Sequence, residues 1–200
     1  MPKNRDLELL YEIGCLRFVP RVWKQFLGMD TANLAEHHFR VIWLSLLLAK
    51  MEGGCDEAKV LKMAMVHDVC ESRTGDLHHI SRQYVKRDEY KAIDDVLAST
   101  SLGPEMAKLW REYEERKNIE AKIVKDADFL DVDLEIHEQE AIGRKHLAGW
   151  HKQRKIVSKR FYTKSAKKLW KEIQNGSPTS WFDNARSRYT EGDMKPGKHN

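Results

Sequence analysis

The sequence predicts an all-α, single-domain protein, and three observations carry that expectation. Apolar residues recur at three- and four-residue spacing along most of the chain, whereas two-residue alternation is scarce. Capping residues and glycines bracket the periodic stretches. No internal repeat, low-complexity tract or long linker divides the 200 residues, a length that suits one domain with a real core. One domain is therefore expected over residues 1–190, with residues 191–200, which hold Gly192, Pro196 and Gly197, as a flexible tail.

The elements follow in order. Residues 6–13 read as a short helix carrying Leu7, Leu10 and Ile13, ended near Gly14. Pro20 falls inside residues 17–28, so a turn and a second short helix are expected there. Asn33, with Glu36 three residues on, reads as a capping box. The helix it opens runs to about Met51, stops at Gly53-Gly54 and puts His37, Val41, Leu44 and Leu48 on one face. Asp56 caps the next helix, expected to reach Glu71 with Val60, Ala64, His67 and Glu71 on a shared face and Asp68 beside it. Residues 72–76 contain Gly75 and read as a loop, leaving Asp76 just past the helix end. Residues 83–99 read as a charged amphipathic helix, and Pro104 opens another through about Arg116. A helix over residues 121–141 carries Ile123, Ala127, Leu130 and Leu134, with Asp128 next to that stripe. Apolar and acidic residues alternate over 131–136, the one place where a strand competes. One or two amphipathic helices bearing Trp150, Ile156, Phe161, Tyr162, Leu169 and Trp170 end near Gly176, and Ser177-Pro178 is a turn.

Composition narrows the class. With 41% hydrophobic and 33% charged residues, the chain is globular rather than disordered. No apolar run reaches the roughly 18 residues of a membrane span, and residues 1–6 lack the apolar core of a signal peptide. Cys15, Cys55 and Cys70 are odd in number and show no CxxC spacing, which suits a reducing cytoplasm. Net charge is a mild +4, but its distribution is uneven. Residues 112–140 hold eleven acids against four Lys/Arg, and residues 144–171 hold eleven Lys/Arg and no acid. Opposed solvated helix faces account for this pattern; a basic surface steering an anionic ligand is the alternative.

The chemistry concentrates at His67-Asp68, which continues the apolar run that starts at Val60. Burying a charge costs several kcal/mol or more unless it is paired or bound to metal, so this pair needs a partner, and a divalent cation is the obvious one. His37 and Asp128 stand beside inward-looking stripes on two other helices. Two imidazoles and two carboxylates suit Mn, Co, Fe, Ni or Zn. His38 points roughly 100° away from His37 around its helix, toward a supporting or surface position. His78-His79 resemble a metal pair with nothing nearby to complete it, and Cys70 reads as a small buried residue. Neither a Gly-rich phosphate loop nor a serine-nucleophile elbow is visible.

The pattern His37…His67-Asp68…Asp128 resembles the HD-domain metal-dependent phosphohydrolases. Leu34-Ala35-Glu36-His37-His38-Phe39-Arg40, Met65-Val66-His67-Asp68-Val69-Cys70-Glu71, Thr74-Gly75-Asp76-Leu77 and Val124-Lys125-Asp126-Ala127-Asp128 are similar to its 5′-deoxynucleotidase branch. The resemblance covers roughly residues 15–137. It implies an HD-type helical bundle, usually a homodimer, that removes the 5′-phosphate from nucleoside monophosphates and prefers deoxyribose. It also implies one divalent ion (Mn, Co, Fe, Ni, Zn or Mg) held by His37, His67, Asp68 and Asp128. Glu71, one turn after His67, takes the water-orienting or general acid/base role, and Asp76 lies against the sugar or the attacking water. The branch binds phosphate and sugar through an adjacent Arg-Trp pair. Here Val22 separates Arg21 from Trp23, and Arg17 is a further candidate. Two alternatives remain at this point. One is another HD activity, on a phosphodiester, nucleoside triphosphate or alarmone. The other is a basic nucleic-acid-binding module with a structural metal.

Overall fold

The computed structural model describes residues 4–28, 31–144 and 147–184. Its helices are α1 (Asp6–Gly14), α2 (Lys24–Leu27), α3 (Leu34–Glu52), α4 (Glu57–Val66), α5 (Glu71–Thr74), α6 (Glu89–Leu97), α7 (Gly103–Glu115), α8 (Ile119–Ala141), α9 (Ala148–Val157), α10 (Lys164–Asn175) and α11 (Ser180–Asp183), with short 3₁₀ turns at Cys15–Phe18, Ser81–Gln83 and Ser158–Arg160. Among the described residues there is no strand, only an isolated bridge between Pro20 and Asn33. The alternating residues 131–136 stay inside α8, because both faces of that helix are covered: Asp131, Val132, Asp133, Glu135 and Ile136 are all buried.

Two long helices, α3 and α8, pack against each other, and α4, α7 and α10 close around α8. Local signals set their ends. The Asn33 side chain accepts from the Glu36 N–H while the Glu36 carboxylate accepts from the Asn33 N–H, closing the expected capping box. Asp56 and Asn118 cap α4 and α8 in the same way through one bond each. At the start of α7 a Cβ on Gly103 would sit 2.4 Å from the Leu97 carbonyl, so only glycine allows α6 and α7 to turn that tightly.

The core comprises Leu48, Met63, Ile93, Trp110, Tyr113, Ile123 and Leu130 with their neighbours, each large apolar side chain contributing about 1.5–3 kcal/mol on burial. A smaller cluster of Leu27, Val132, Ile136 and Leu147 is flanked by Trp23 and Trp150. The basic C-terminal segment is tied to α8 by acids that face it. Asp126, fully buried, accepts from the Tyr162 and Thr163 N–H groups and the Thr163 hydroxyl, and Asp133 holds Arg154 in a two-pronged bond.

Three expectations need correction, the first being the loop over residues 72–76, whose first three residues belong to α5, which Gly75 ends at φ 72°. The helix opened by Asp56 stops at Val66 rather than Glu71, and His67 to Cys70 form turns before α5. The buried Trp110 indole N–H donates to the His67 carbonyl at 3.1 Å, taking an acceptor that a continuous helix would use itself. The helix expected from residue 83 starts at Glu89, capped by Asp88, after a 3₁₀ turn. The end of the domain at 190 and the tail over 191–200 lie outside the described residues.

Candidate metal centre

Three segments converge on one point. α3 supplies His37, the turn after α4 supplies His67 and Asp68, and α8 supplies Asp128. One donor atom from each lies within 4.8 Å of the others. His37 Nε2 is 3.3 Å from His67 Nε2, 3.4 Å from Asp128 Oδ1 and 3.6 Å from Asp68 Oδ2, and His67 Nε2 is 3.3 Å from Asp68 Oδ2. Both imidazoles are fully buried.

The far side of each ring decides what these atoms are. His67 Nδ1 lies 2.8 Å from the Ala64 carbonyl, which only accepts, so Nδ1 carries the proton. His37 Nδ1 lies 2.6 Å from Asp131 Oδ2 and donates to it. With its one proton on Nδ1, each ring turns an Nε2 lone pair toward the other and toward two carboxylates. Four such acceptors repel one another unless a positive charge sits between them, and in the absence of a metal that charge is the second proton that His37 holds. A divalent cation fits this donor set by charge, size and ligand type.

The titration behaviour reports the same crowding. Burial and the Arg21 charge work against a protonated His37, yet bonds to Asp128, Asp131 and Asp68 prevail and push it up to about 10. Burial disfavours ionised Asp68, but His67 and His37 outweigh it and hold the carboxyl well below its usual range. Burial likewise opposes ionised Asp128, and Lys125 and His37 hold it well below that range. Glu71 goes the other way: burial, then Asp68 and Asp76, push it up to about 9.

A cavity of about 460 Å³ opens beside this cluster. Asp68, Glu71, Asp76 and Asp128 line it together with the cations Arg21, Arg82, Lys125 and Arg154 and the rings of Trp23, Phe26, Phe129 and Trp150. Arg21 pairs with Asp76 at 2.9 Å and lies over the Trp23 ring at 4.9 Å. Residues 21–23 are not helical, so the intervening Val22 does not keep Arg21 and Trp23 from the same wall. Arg87 donates to Glu71 Oε1 at 3.0 Å and to the Gly75 carbonyl at 2.7 Å, clamping α5 and its following turn. Glu71 Oε2 and Arg21 Nε are buried without a partner, and a buried polar atom left so calls for an explanation, which a ligand in the cavity supplies.

Arg17 is not brought to this cavity. It is exposed and lines a separate cleft with Lys24, Asn33 and Glu36. His38 is buried rather than superficial, its ring 4.5 Å from that of His67. His78 and His79 line the cavity, with His78 bound to Ser81. Sequence reasoning missed Asp131 and Arg40. Arg40 donates from Nε to Asp131 Oδ1 at 2.5 Å and reaches Glu138 and Glu135, so it locks the carboxylate that locks His37. Each sits one helical turn after a candidate ligand (Arg40 after His37, Asp131 after Asp128), the i,i+3 spacing that places a supporting group on the same face. Arg87 lies in a charged stretch with no local signal of its role.

Comparison with known proteins places this geometry in a family. The HD domain model matches residues 13–174, which extends past the motif-bearing region through α9 and α10. The 5′-deoxynucleotidase HDDC2 of Danio rerio is 28% identical over 142 residues, covering 68% of this chain and 70% of that protein. Its Homo sapiens counterpart is 27% identical over 145 residues, 70% of each. A solved structure, a conserved hypothetical protein from Pyrococcus furiosus, superposes with a TM-score of 0.74 at 29% identity over 86% of this chain and 100% of that one. A family match spanning most of the helical bundle, together with these relatives, establishes that the chain belongs to the HD domain family.

Proposed function

We propose that the protein is a metal-dependent 5′-nucleotidase that hydrolyses deoxynucleoside 5′-monophosphates to nucleoside and phosphate. The observation that carries the reading is the four-acceptor cluster at the wall of a cavity whose other walls are cationic and aromatic. Its volume lies within the range of small-molecule sites, about 300–1,000 Å³. The relatives named 5′-deoxynucleotidase support the substrate class.

His37, His67, Asp68 and Asp128 would hold one divalent ion, which would supply Lewis-acid charge neutralisation and lower the pKa of water at the site. The chain's own groups do the rest. Arg21, poised by Asp76, and Lys125, poised by Asp128, bring positive charge to the phosphate oxygens. Trp23 and Trp150, edge to face at 5.5 Å, offer an apolar wall for the base. A water oxygen attacks phosphorus, the bond from phosphorus to the 5′ oxygen breaks with its electron pair going to that oxygen, and the 5′ oxygen takes the proton that Glu71 holds; one proton of the attacking water stays on the released phosphate and the other returns to Glu71. Burial, Asp68 and Asp76 outweigh Arg21 and Arg87, so Glu71 retains its proton at neutral pH, and its unpartnered Oε2 is the atom assigned to that transfer. Positioning and electrostatics suffice for the remainder.

The test is a panel of deoxyribo- and ribonucleoside monophosphates and triphosphates offered to chelator-stripped protein reloaded with Mn or Co. Phosphate release from deoxynucleoside monophosphates is expected. No release from any monophosphate, or pyrophosphate or triphosphate as main product from triphosphates, overturns the reading.

The working unit is proposed to be a homodimer. Phe39, Trp43, Leu47 and Met51 recur every four residues on α3 and are 66%, 61%, 47% and 37% exposed, an apolar stripe suited to a second copy. Light scattering at twice the chain mass is expected, and a monomer at micromolar concentration refutes it. Three free cysteines accord with a reducing, cytoplasmic setting. Among the described residues no helix is long and apolar enough to cross a membrane.

A further inference from the structure

α8 and α9 meet at a second cluster, none of whose three side chains lines the cavity. His137 and Glu140 lie one turn apart on α8, and His151 faces them from α9. One donor atom from each lies within 4.8 Å of the others, the same closeness as in the first centre. His151 Nε2 is 2.5 Å from Glu140 Oε1, and the two imidazole rings are 5.7 Å apart at 75°. His137 Nε2 is buried and has no hydrogen-bond partner. A simple His–Glu ion pair accounts for His151 and Glu140 but leaves that nitrogen orphaned, at the cost of an unsatisfied buried polar atom.

We infer that His137, Glu140 and His151 form a second metal site, for an imidazole-preferring divalent ion such as zinc, that joins α9 to α8. Two imidazoles and one carboxylate are a known tetrahedral set that leaves the fourth position to water. Magnesium and calcium demand oxygen ligands and are poorly matched here. The placement has a structural consequence. One turn further along α9, Arg154 forks onto Asp133, which lies one turn before His137 on α8. The ion would add a second tie along the same seam. Trp150, the neighbour of His151, and Arg154 both line the cavity, so the tie secures one wall of it. The site is independent of the reaction assigned to the first centre.

The test is zinc stoichiometry on folded, full-length protein, stripped with chelator, reloaded and freed of excess metal. Four proteins are compared: wild type, Asp68→Ala, His151→Ala and the double variant. The His151→Ala change is expected to remove one zinc per chain in both backgrounds, and Asp68→Ala to leave that zinc in place. His137→Gln attacks the same site from α8 and should give the same loss. It decides the matter if circular dichroism shows that His151→Ala has lost helix. Equal zinc content with and without the His137 or His151 imidazole overturns the inference, whatever the protein's activity.

Discussion

Asp131→Asn isolates the support of the first centre from its ligands. Asp131 is 3% exposed and uses both oxygens: Oδ2 accepts from His37 Nδ1 and Oδ1 from Arg40 Nε. Asparagine replaces one of those acceptors with an NH₂ donor. If the amide oxygen keeps His37, the NH₂ group faces the Arg40 N–H. If it keeps Arg40, the NH₂ group donates to His37 Nδ1 and drives the ring proton onto Nε2, the atom assigned to the ion. Arg40 retains Glu138 and Glu135 as partners, yet both arrangements leave the site poorer. Loss of such an outer partner lowers metal affinity roughly 10–100-fold, equal to about 1.4–2.7 kcal/mol at 1.36 kcal/mol per decade. The flipped arrangement argues for the upper end. The assay is competition for Mn or Zn against a chromophoric chelator, with metal-free thermal unfolding as the control for folding. A dissociation constant within about twofold of wild type, in a protein that still folds, refutes the role given to Asp131.

Two further outcomes are expected. Glu71→Gln keeps the shape and the metal content but removes the transferable proton, so kcat should fall by about 10²–10⁴; measuring activity and bound metal on one preparation checks it, and full activity would remove Glu71 from the chemistry. His37 is held up to about 10 in the absence of a cation, so it is protonated across the neutral range and must release that proton to bind metal. Affinity should therefore rise with pH, by up to about tenfold per unit for this one proton. Calorimetry in two buffers of different ionisation enthalpy measures the release, and no proton released per ion bound contradicts it.

Much of the helical order was legible because its signals are local. Asn33 with Glu36, Asp56 and Asn118 act within one turn of themselves, so the starts of α3, α4 and α8 follow from residues that the eye meets together. His37, His67, Asp68 and Asp128 were legible for another reason. Ionisable side chains on otherwise apolar faces demand partners, and the motif spacing named them. What escaped was non-local. Asp131 is 94 residues from His37 and 91 from Arg40, and no local rule connects them. The early end of α4 depends on Trp110, 43 residues away.

The amino-acid sequence by itself carried the all-α class, most helix starts and the four candidate ligands, since periodicity, capping and the cost of buried charge are properties of short stretches, and the resemblance of the motifs to the HD-domain family added Glu71. The packing of α8 against α3, α4, α7 and α10 and the closing of the loops around it decided the rest. It oriented the His37 imidazole through Asp131, brought Arg21 and Trp23 onto one wall despite Val22, and left Arg17 outside. It also set His137 against His151. Those are outcomes of which faces meet, and a face acquires its partner only when the core closes.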